Sequence, residues 1–387
     1  MHIQILGTRG IPSLHGGFET FAHDLAIFLT ERGHKVTVYC QADDCDVWHE
    51  DNWFGVRRVF IPAPSGTRGT ISFDLKSALH ASREDGLALT LGYNTAIFSL
   101  LYRLVGHRSI MNMDGLEWKR QKWSPPARAW LRLNEWLGAR LSNHLVADHP
   151  SIAEHLSSHT ATSKITMIPY GSHGVDDRDD SILQRFGLER GNYYLLIARP
   201  EPENSILEIV SSYSAEKRKI PLVVLGKYSV DNAYHAEVIS QAGEGVKFVG
   251  PVYDRAAVAS LRIHATAYIH GHQVGGTNPS LVESLAAANP IIAHDNIFTR
   301  WVTGDSAMFF NDTDSLRLIF TDLDSTHAML SPLREASRSR FQQMFCQQAI
   351  LLQYETLMER FYKNVYASEP KFSIDASSSI VSTIRVD

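Results

Sequence analysis

The stretch Val274-Gly275-Gly276-Thr277-Asn278-Pro279-Ser280-Leu281-Val282-Glu283-Ser284-Leu285-Ala286-Ala287-Ala288-Asn289-Pro290 reads as a loop, a helix and the start of a strand in quick succession. A glycine pair opens the loop. Thr277 or Asn278 caps the helix, with Pro279 just inside its start, where a missing N–H costs nothing. Small alanines let the helix lie close to a sheet, and Asn289 before Pro290 supplies a left-handed stop. A helix start with unpaired backbone N–H groups attracts anions. Glu283, one turn further on, would repel phosphate and suits paired sugar hydroxyls instead. Together these residues point to a site for a nucleoside diphosphate, although an ordinary junction in an α/β domain would look similar.

Working outward, apolar runs alternate with helical stretches on both sides. His2–Gly7, Lys35–Cys40, Leu87–Leu91, Ser109–Met113, His144–Ala147 and Ile165–Gly171 read as strands of a first half. Tyr193–Ala198, Pro221–Gly226, Val246–Gly250, Ala267–His270 and Pro290–His294 repeat the pattern. Between the first two runs, Phe18, Phe21, Leu25, Phe28 and Leu29 have helical spacing. Strands separated by helices build parallel sheets. The expected fold class is therefore α/β, with two Rossmann-like, doubly wound domains facing a central cleft. The reading places the first domain at 1–170 and the second at 171–345. It gives a C-terminal helix at 346–367, within an amphipathic region near Phe341–Tyr362, which returns to the first domain, and a polar, disordered tail at 368–387.

Composition narrows the class. The 387 residues are 44% hydrophobic and 20% charged, which suits a globular protein of two or three domains. A net charge of −5 gives no reason to expect nucleic-acid binding. Cys40, Cys45 and Cys346 make no metal spacing and fit a reducing cytoplasm. The chain starts directly in a strand with no signal-peptide pattern, and no apolar run approaches the ~20 residues of a membrane span. The reading is of a cytoplasmic protein whose membrane contact, if any, is peripheral.

Gly7, Gly10, Gly16 and Gly17 do not form the tight dinucleotide-binding fingerprint, and the second strand ends Tyr39-Cys40-Gln41 without the acid that would hold a ribose. A nicotinamide-dependent enzyme is disfavoured. The pair Gly16-Gly17 still permits close approach of backbone N–H groups to a phosphate. Gly7-Thr8-Arg9-Gly10-Ile11-Pro12 followed by His15-Gly16-Gly17-Phe18-Glu19-Thr20 resembles bacterial rhamnosyltransferases with a DUF1972-type N-terminal domain, within the retaining GT-B glycosyltransferases of family 4. The Val274–Pro290 stretch resembles the donor motif of that family, in which two glutamates stand eight positions apart. Here the second is Glu283 and the first position holds Gly275. Similarly, Arg199 matches a family arginine, while Asn204 stands where a lysine is usual. The two departures suit a subgroup signature or a degraded site. The resemblance implies a GT-B fold and a donor site of Arg9, Gly16, Gly17, Arg199, Asn204, His272, Gly275, Gly276, Thr277, Asn278 and Glu283. Arg199 would stabilise the departing diphosphate.

On the acceptor side, Asp114 and Glu117 follow a buried strand, and either could orient an acceptor hydroxyl or take its proton. A turn and helix cap would use the same residues. Family relatives place a histidine here, and Asp114 is the nearest polar substitute. From Lys119 to Arg140 the chain is basic, with Glu135 as the single acid. Lys119, Arg120, Lys122, Trp123, Arg128, Trp130 and Arg132 read as membrane or acceptor contacts, on a helix whose Trp130, Leu133, Leu137 and Leu141 form one stripe. A core-facing helix with a solvated basic face is the competing reading. His270, His272 and His294 have no metal-site spacing, so neither metal nor cofactor is expected beyond a dTDP- or UDP-linked sugar donor.

The reaction implied by the resemblance is transfer of L-rhamnose from dTDP-rhamnose, with retention, to a saccharide on a polyprenyl-diphosphate carrier at the inner leaflet of the cytoplasmic membrane. The catalytic set would be Asp114, Glu117 and Arg199. A sugar-nucleotide epimerase of the same fold and a silent scaffold subunit are the alternatives.

Overall fold

A computed structural model describes residues 1–12, 17–43, 46–120, 122–175 and 181–366. Gly16, Cys45 and the 368–387 tail lie outside the described residues. The first half forms an eight-stranded sheet: β1 (His2–Leu6), β2 (Lys35–Ala42), β3 (His49–Trp53), β4 (Val56–Pro62), β5 (Leu87–Leu91), β6 (Ser109–Asn112), β7 (His144–Ala147) and β8 (Ile165–Met167). Their order is β3-β4-β2-β1-β5-β6-β7-β8, parallel except for the β3–β4 hairpin. The second half forms a six-stranded parallel sheet from β9 (Tyr194–Ile197), β10 (Leu222–Leu225), β11 (Val246–Gly250), β12 (Ala267–His270), β13 (Ile291–His294) and β14 (Ala307–Phe310). Its order is β11-β10-β9-β12-β13-β14. Each sheet grows outward in both directions from its first strand. The crevice at the carboxyl ends of the strands beside that switch point is where ligands of such folds collect.

Three strands have no counterpart in the sequence reading. β3 is an exposed edge of polar residues, held by charge pairing rather than apolar burial: Arg57 reaches Glu50 at 2.6 Å and Arg58 reaches Asp51 at 2.5 Å. β4 is its partner, and β14 is a four-residue edge.

The stop after the Pro279–Ala286 helix also differs. Ala288, not Asn289, takes the left-handed conformation, with φ 54°. Asn289 instead closes the helix through its N–H to the Ser284 carbonyl (2.9 Å) and donates its side-chain amide to the Arg262 carbonyl (2.7 Å). Buried between two helices, the amide is used as a link rather than as a turn former.

The amphipathic region near Phe341–Tyr362 divides between two helices. Leu330–Met344 stays with the second half, where Phe341 and Phe345 pack on Leu281, Leu285 and Val302. Gln347–Tyr366 crosses to the first half and buries Ile350, Tyr354, Leu357 and Met358 among Phe21, Leu25 and Leu29. Each such side chain contributes roughly 1.5–3 kcal/mol. The crossing helix therefore fastens the two halves around their cleft.

Candidate functional site

Between the sheets, at the carboxyl ends of β6, β7 and β12, lies a cavity of about 220 Å³. Asp114 reaches it from the turn after β6, and Asp148 from the residue directly after β7. Opposite them runs Gly275–Asn278, the loop joining β12 to the Pro279–Ala286 helix. The halves touch here. The Thr277 N–H donates to Asp148 Oδ2 at 2.8 Å, and the Thr277 hydroxyl donates to the Asp148 carbonyl. A Cβ on Gly276 would overlap the Asp148 carboxylate, and one on Gly115 would lie 3.3 Å from the Gly275–Gly276 backbone. Gly276 and Gly115 are thus required by a close approach of the two domains, whereas Gly275 stands in open space and is set by its positive φ of 152°.

Thr277 being occupied, Asn278 caps the helix, accepting the Ser280 N–H at 3.0 Å. The next two amides, of Leu281 and Val282, donate to the Asn278 carbonyl at 3.1 Å. The helix end satisfies itself, so the anion-binding reading moves from those three amides to the cations around the cavity.

The carboxylates are strongly perturbed. Burial, reinforced by Asp114, pushes Asp148 up to about 7, and its Oδ1 has no partner among the described residues. Burial, then the Glu117 charge, pushes Asp114 up to about 6. Asp114 also sits in the left-handed region, at φ 51°. Asp148 was not singled out from the sequence. Its only signal there was its position, the first residue after a buried strand, which matches that of polar residues after β6.

Glu117 lines the cavity but is not a free base. Arg120 pairs with it at 3.0 Å, Lys122 stands 3.9 Å away, and the Trp123 indole N–H donates to it at 3.3 Å. Its carboxylate is thus shared among a guanidinium, an ammonium and an indole. Arg120 also crosses the cleft to Glu203 of the second half at 3.2 Å, so it is an interdomain clamp rather than a membrane-facing cation. Arg199 lines the cavity with a 63% exposed side chain, and among the described residues its nearest paired carboxylate is Glu201, at 4.0 Å. Asn204 does not reach the cavity. It is buried, donating to the Arg199 carbonyl at 2.8 Å, and so shapes the loop that carries Arg199. Arg9 is exposed and lines neither this cavity nor its neighbour.

His272 forms a wall of the cavity, stacked on His270 with ring centroids 4.3 Å apart. Burial, then Arg120 and Arg199, holds His272 down to about 3, and burial, then His272, holds His270 well below the usual imidazole value. Both rings are therefore neutral. Neither nitrogen of His270, nor Nδ1 of His272, has a partner among the described residues.

A second cavity of about 420 Å³ adjoins the first and shares Gly17, Tyr170 and Pro279 with it. Glu283 lies here, away from Asp114, and pairs with the buried Arg262 at 2.7 Å. Arg262 also donates to Ser280 at 2.8 Å.

The basic helix, Pro125–Leu141, turns Leu131, Asn134, Glu135, Gly138 and Ala139 inward. Among its other apolar residues Trp130, Leu133 and Trp136 are 37%, 47% and 42% exposed, whereas Leu137 and Leu141 are half-buried. Leu100, Leu104 and Val105 are exposed too, in and after the neighbouring Ser99–Leu104 helix. Arg132 and Lys119 lie over the Trp118 ring, and Arg140 over the Trp136 ring at 3.9 Å. Trp123 packs into the core instead, and Arg128 is partly buried near the helix start. Among the described residues no helix is long and apolar enough to cross a membrane.

Two facing Rossmann-like domains with a ligand-sized cleft define the GT-B fold. A family model described as a domain of unknown function (DUF1972) matches residues 1–173. No curated protein matches the chain. Among solved structures, sucrose-phosphate synthase from Thermosynechococcus elongatus is similar over 95% of this chain and 100% of its own, with a TM-score of 0.79 at 17% identity. HepE from Anabaena, in complex with UDP, is similar over 93% of this chain and 100% of its own, with a TM-score of 0.73 at 14% identity. The UDP-forming trehalose-phosphate synthase of Burkholderia vietnamiensis gives 0.68 at 10% identity, over 94% and 99%. At such identities the likeness establishes the fold.

Proposed function

We propose that this chain is a retaining glycosyltransferase that takes its sugar from a nucleoside diphosphate. The observation that carries this reading is the pair of joined cavities. The first alone is smaller than the ~300–1,000 Å³ usual for ligand sites, whereas the two together fall within that range. A ribose in the second cavity meets Glu283, the diphosphate lies at the junction near Gly17 and Pro279, and the sugar enters the first cavity. Arg199, exposed at the cavity wall and held only loosely by Glu201 at 4.0 Å, stabilises the departing diphosphate. Asp114, poised near pH 6, orients the acceptor hydroxyl for attack on the face the diphosphate leaves. Neutral His270 and His272 offer uncharged hydrogen-bonding groups for the sugar. The HepE structures with UDP and UDP-glucose show that such a fold accommodates a donor of this kind.

The finer reading is L-rhamnose from dTDP-rhamnose onto a polyprenyl-diphosphate-linked saccharide at the cytoplasmic face of a membrane. Its support is the sequence resemblance and the outward-facing Trp130, Leu133 and Trp136 beside Arg132 and Arg140, a pairing suited to an anionic interface. Incubation with dTDP- and UDP-sugars and short polyprenyl-diphosphate saccharides, followed by product masses, tests both levels. Transfer from dTDP-rhamnose supports the finer reading. Transfer from another donor retains only the class, and no transfer or binding of any dTDP- or UDP-sugar overturns it.

A further inference from the structure

Outside the cleft, three side chains of metal-ligand type converge on one point. Glu135 comes from the Pro125–Leu141 helix, His155 from the Pro150–Ser157 helix, and His159 from the turn after it. Nε2 of His155 lies 2.7 Å, and Nε2 of His159 3.4 Å, from the same oxygen, Glu135 Oε1. The three ligand atoms all fall within 4.8 Å of one another. The other carboxylate oxygen accepts the Trp118 indole N–H at 2.9 Å. Glu135 is 2% exposed. Among the described residues its ion pairs within 4.0 Å are with these two histidines alone.

We propose that Glu135, His155 and His159 bind a divalent transition-metal ion, zinc foremost. A buried carboxylate needs a compensating charge, and a bound cation supplies one. Two nitrogens and one oxygen suit zinc, whereas calcium and magnesium demand oxygen ligands. Ligand atoms around tetrahedral zinc stand about 3.3 Å apart, given bond lengths near 2.0–2.2 Å. The 2.7 Å and 3.4 Å separations lie on either side of that value, so small side-chain shifts admit the ion. Both histidine side chains are 27% exposed, which leaves an entry path and room for a water as fourth ligand. The His155 and His159 rings stand side by side, their centroids 5.2 Å apart.

The ion would join the Pro125–Leu141 and Pro150–Ser157 helices beneath Trp118. Glu117 and Arg120, on either side of that tryptophan and Lys119, line the cleft cavity. The site is therefore structural, independent of which reaction the cleft performs, and touches no substrate.

Full-length protein stripped with chelator and titrated calorimetrically with zinc chloride should bind one equivalent. Cobalt(II) in its place should show the intense visible bands of a four-coordinate site. H159Q should keep its circular dichroism and bind zinc at least ~100-fold more weakly, the upper range for disturbing even an outer-shell partner. H155Q should behave likewise, so either variant alone suffices if the other fails to fold. H327Q, at an exposed histidine of the second half, should titrate like the parent and so exclude adventitious binding. Absence of zinc binding by the parent, parent-like affinity in H159Q and H155Q, or a six-coordinate cobalt spectrum overturns the proposal.

Discussion

Replacing Asp148 by asparagine should stabilise the protein, and increasingly so as pH rises. The side chain is 1% exposed, one of its oxygens has no partner, and its pKa is pushed up from 3.8 to about 7 by burial and then by Asp114. Between about pH 4 and pH 7 the native state therefore holds a proton that the unfolded chain has released. Stability falls as pH rises through that window and levels off above it. A shift of about three units, at about 1.36 kcal/mol each, corresponds to a cost of about 4 kcal/mol above pH 7, of which about 2 kcal/mol is already present at pH 5.5. In D148N the amide oxygen still accepts the Thr277 N–H, but no charge is buried. Its added N–H groups need partners in the same space, which offsets part of the gain.

The pH dependence is the diagnostic quantity, because packing and amide satisfaction are the same at both pH values. Thermal unfolding of parent and D148N, followed by calorimetry at pH 5.5 and pH 8, should show the gap between them widening by about 2 kcal/mol. At roughly 2–4 °C per kcal/mol for chains of 150–250 residues, and less for longer ones, that is a shift of a few degrees. A gap that is constant with pH, or that favours the parent more at pH 8, would refute the assignment of a buried, protonated Asp148.

E283Q should keep the contact to Arg262 while losing charge, raising donor KM about tenfold or more with kcat nearly unchanged, as expected for one hydrogen bond to a charged group. An unchanged KM removes the residue from the donor site. G276A places a methyl group against the Asp148 carboxylate and should hold the domains apart, lowering kcat/KM on the order of 100-fold with a larger radius of gyration in X-ray scattering. Parent-like kinetics would show that the closed contact is dispensable. The double variant L133E/W136E should lose co-sedimentation with anionic phospholipid vesicles while retaining turnover of short-chain acceptors, and parent binding should weaken with salt. Parent-like sedimentation of the variant would place the membrane contact elsewhere.

The parallel strands were legible because strands covered on both faces are nearly continuous apolar runs, as in β1, β5 and β9. β3 was not, since charge pairs across an edge leave no apolar pattern. Helix periodicity in Pro125–Leu141 gave a true stripe but not its direction. Asn134 and Glu135 occupy the inner face because Asn134 accepts the Ile97 N–H and donates to the Trp130 carbonyl, both at 3.0 Å, and Glu135 holds Trp118. A pattern can show that two faces differ, yet buried hydrogen bonds can reverse which one is covered.

The site divides in the same way. Asp114 and the Gly275–Asn278 loop stand out locally, as polar or glycine residues at strand ends. Asp148 reads locally as an acid just outside a proline-started helix that His149 caps. Its role appears only when Thr277, 129 positions away, brings its amide to the carboxylate. The pairings of Glu117 and Asn204 were hidden for a related reason: partners on adjacent loops take their polar atoms. What the chain records of the domain contact is an absence of side chains at Gly115 and Gly276. Those two glycines let two backbones meet over a carboxylate that neither half would bury alone.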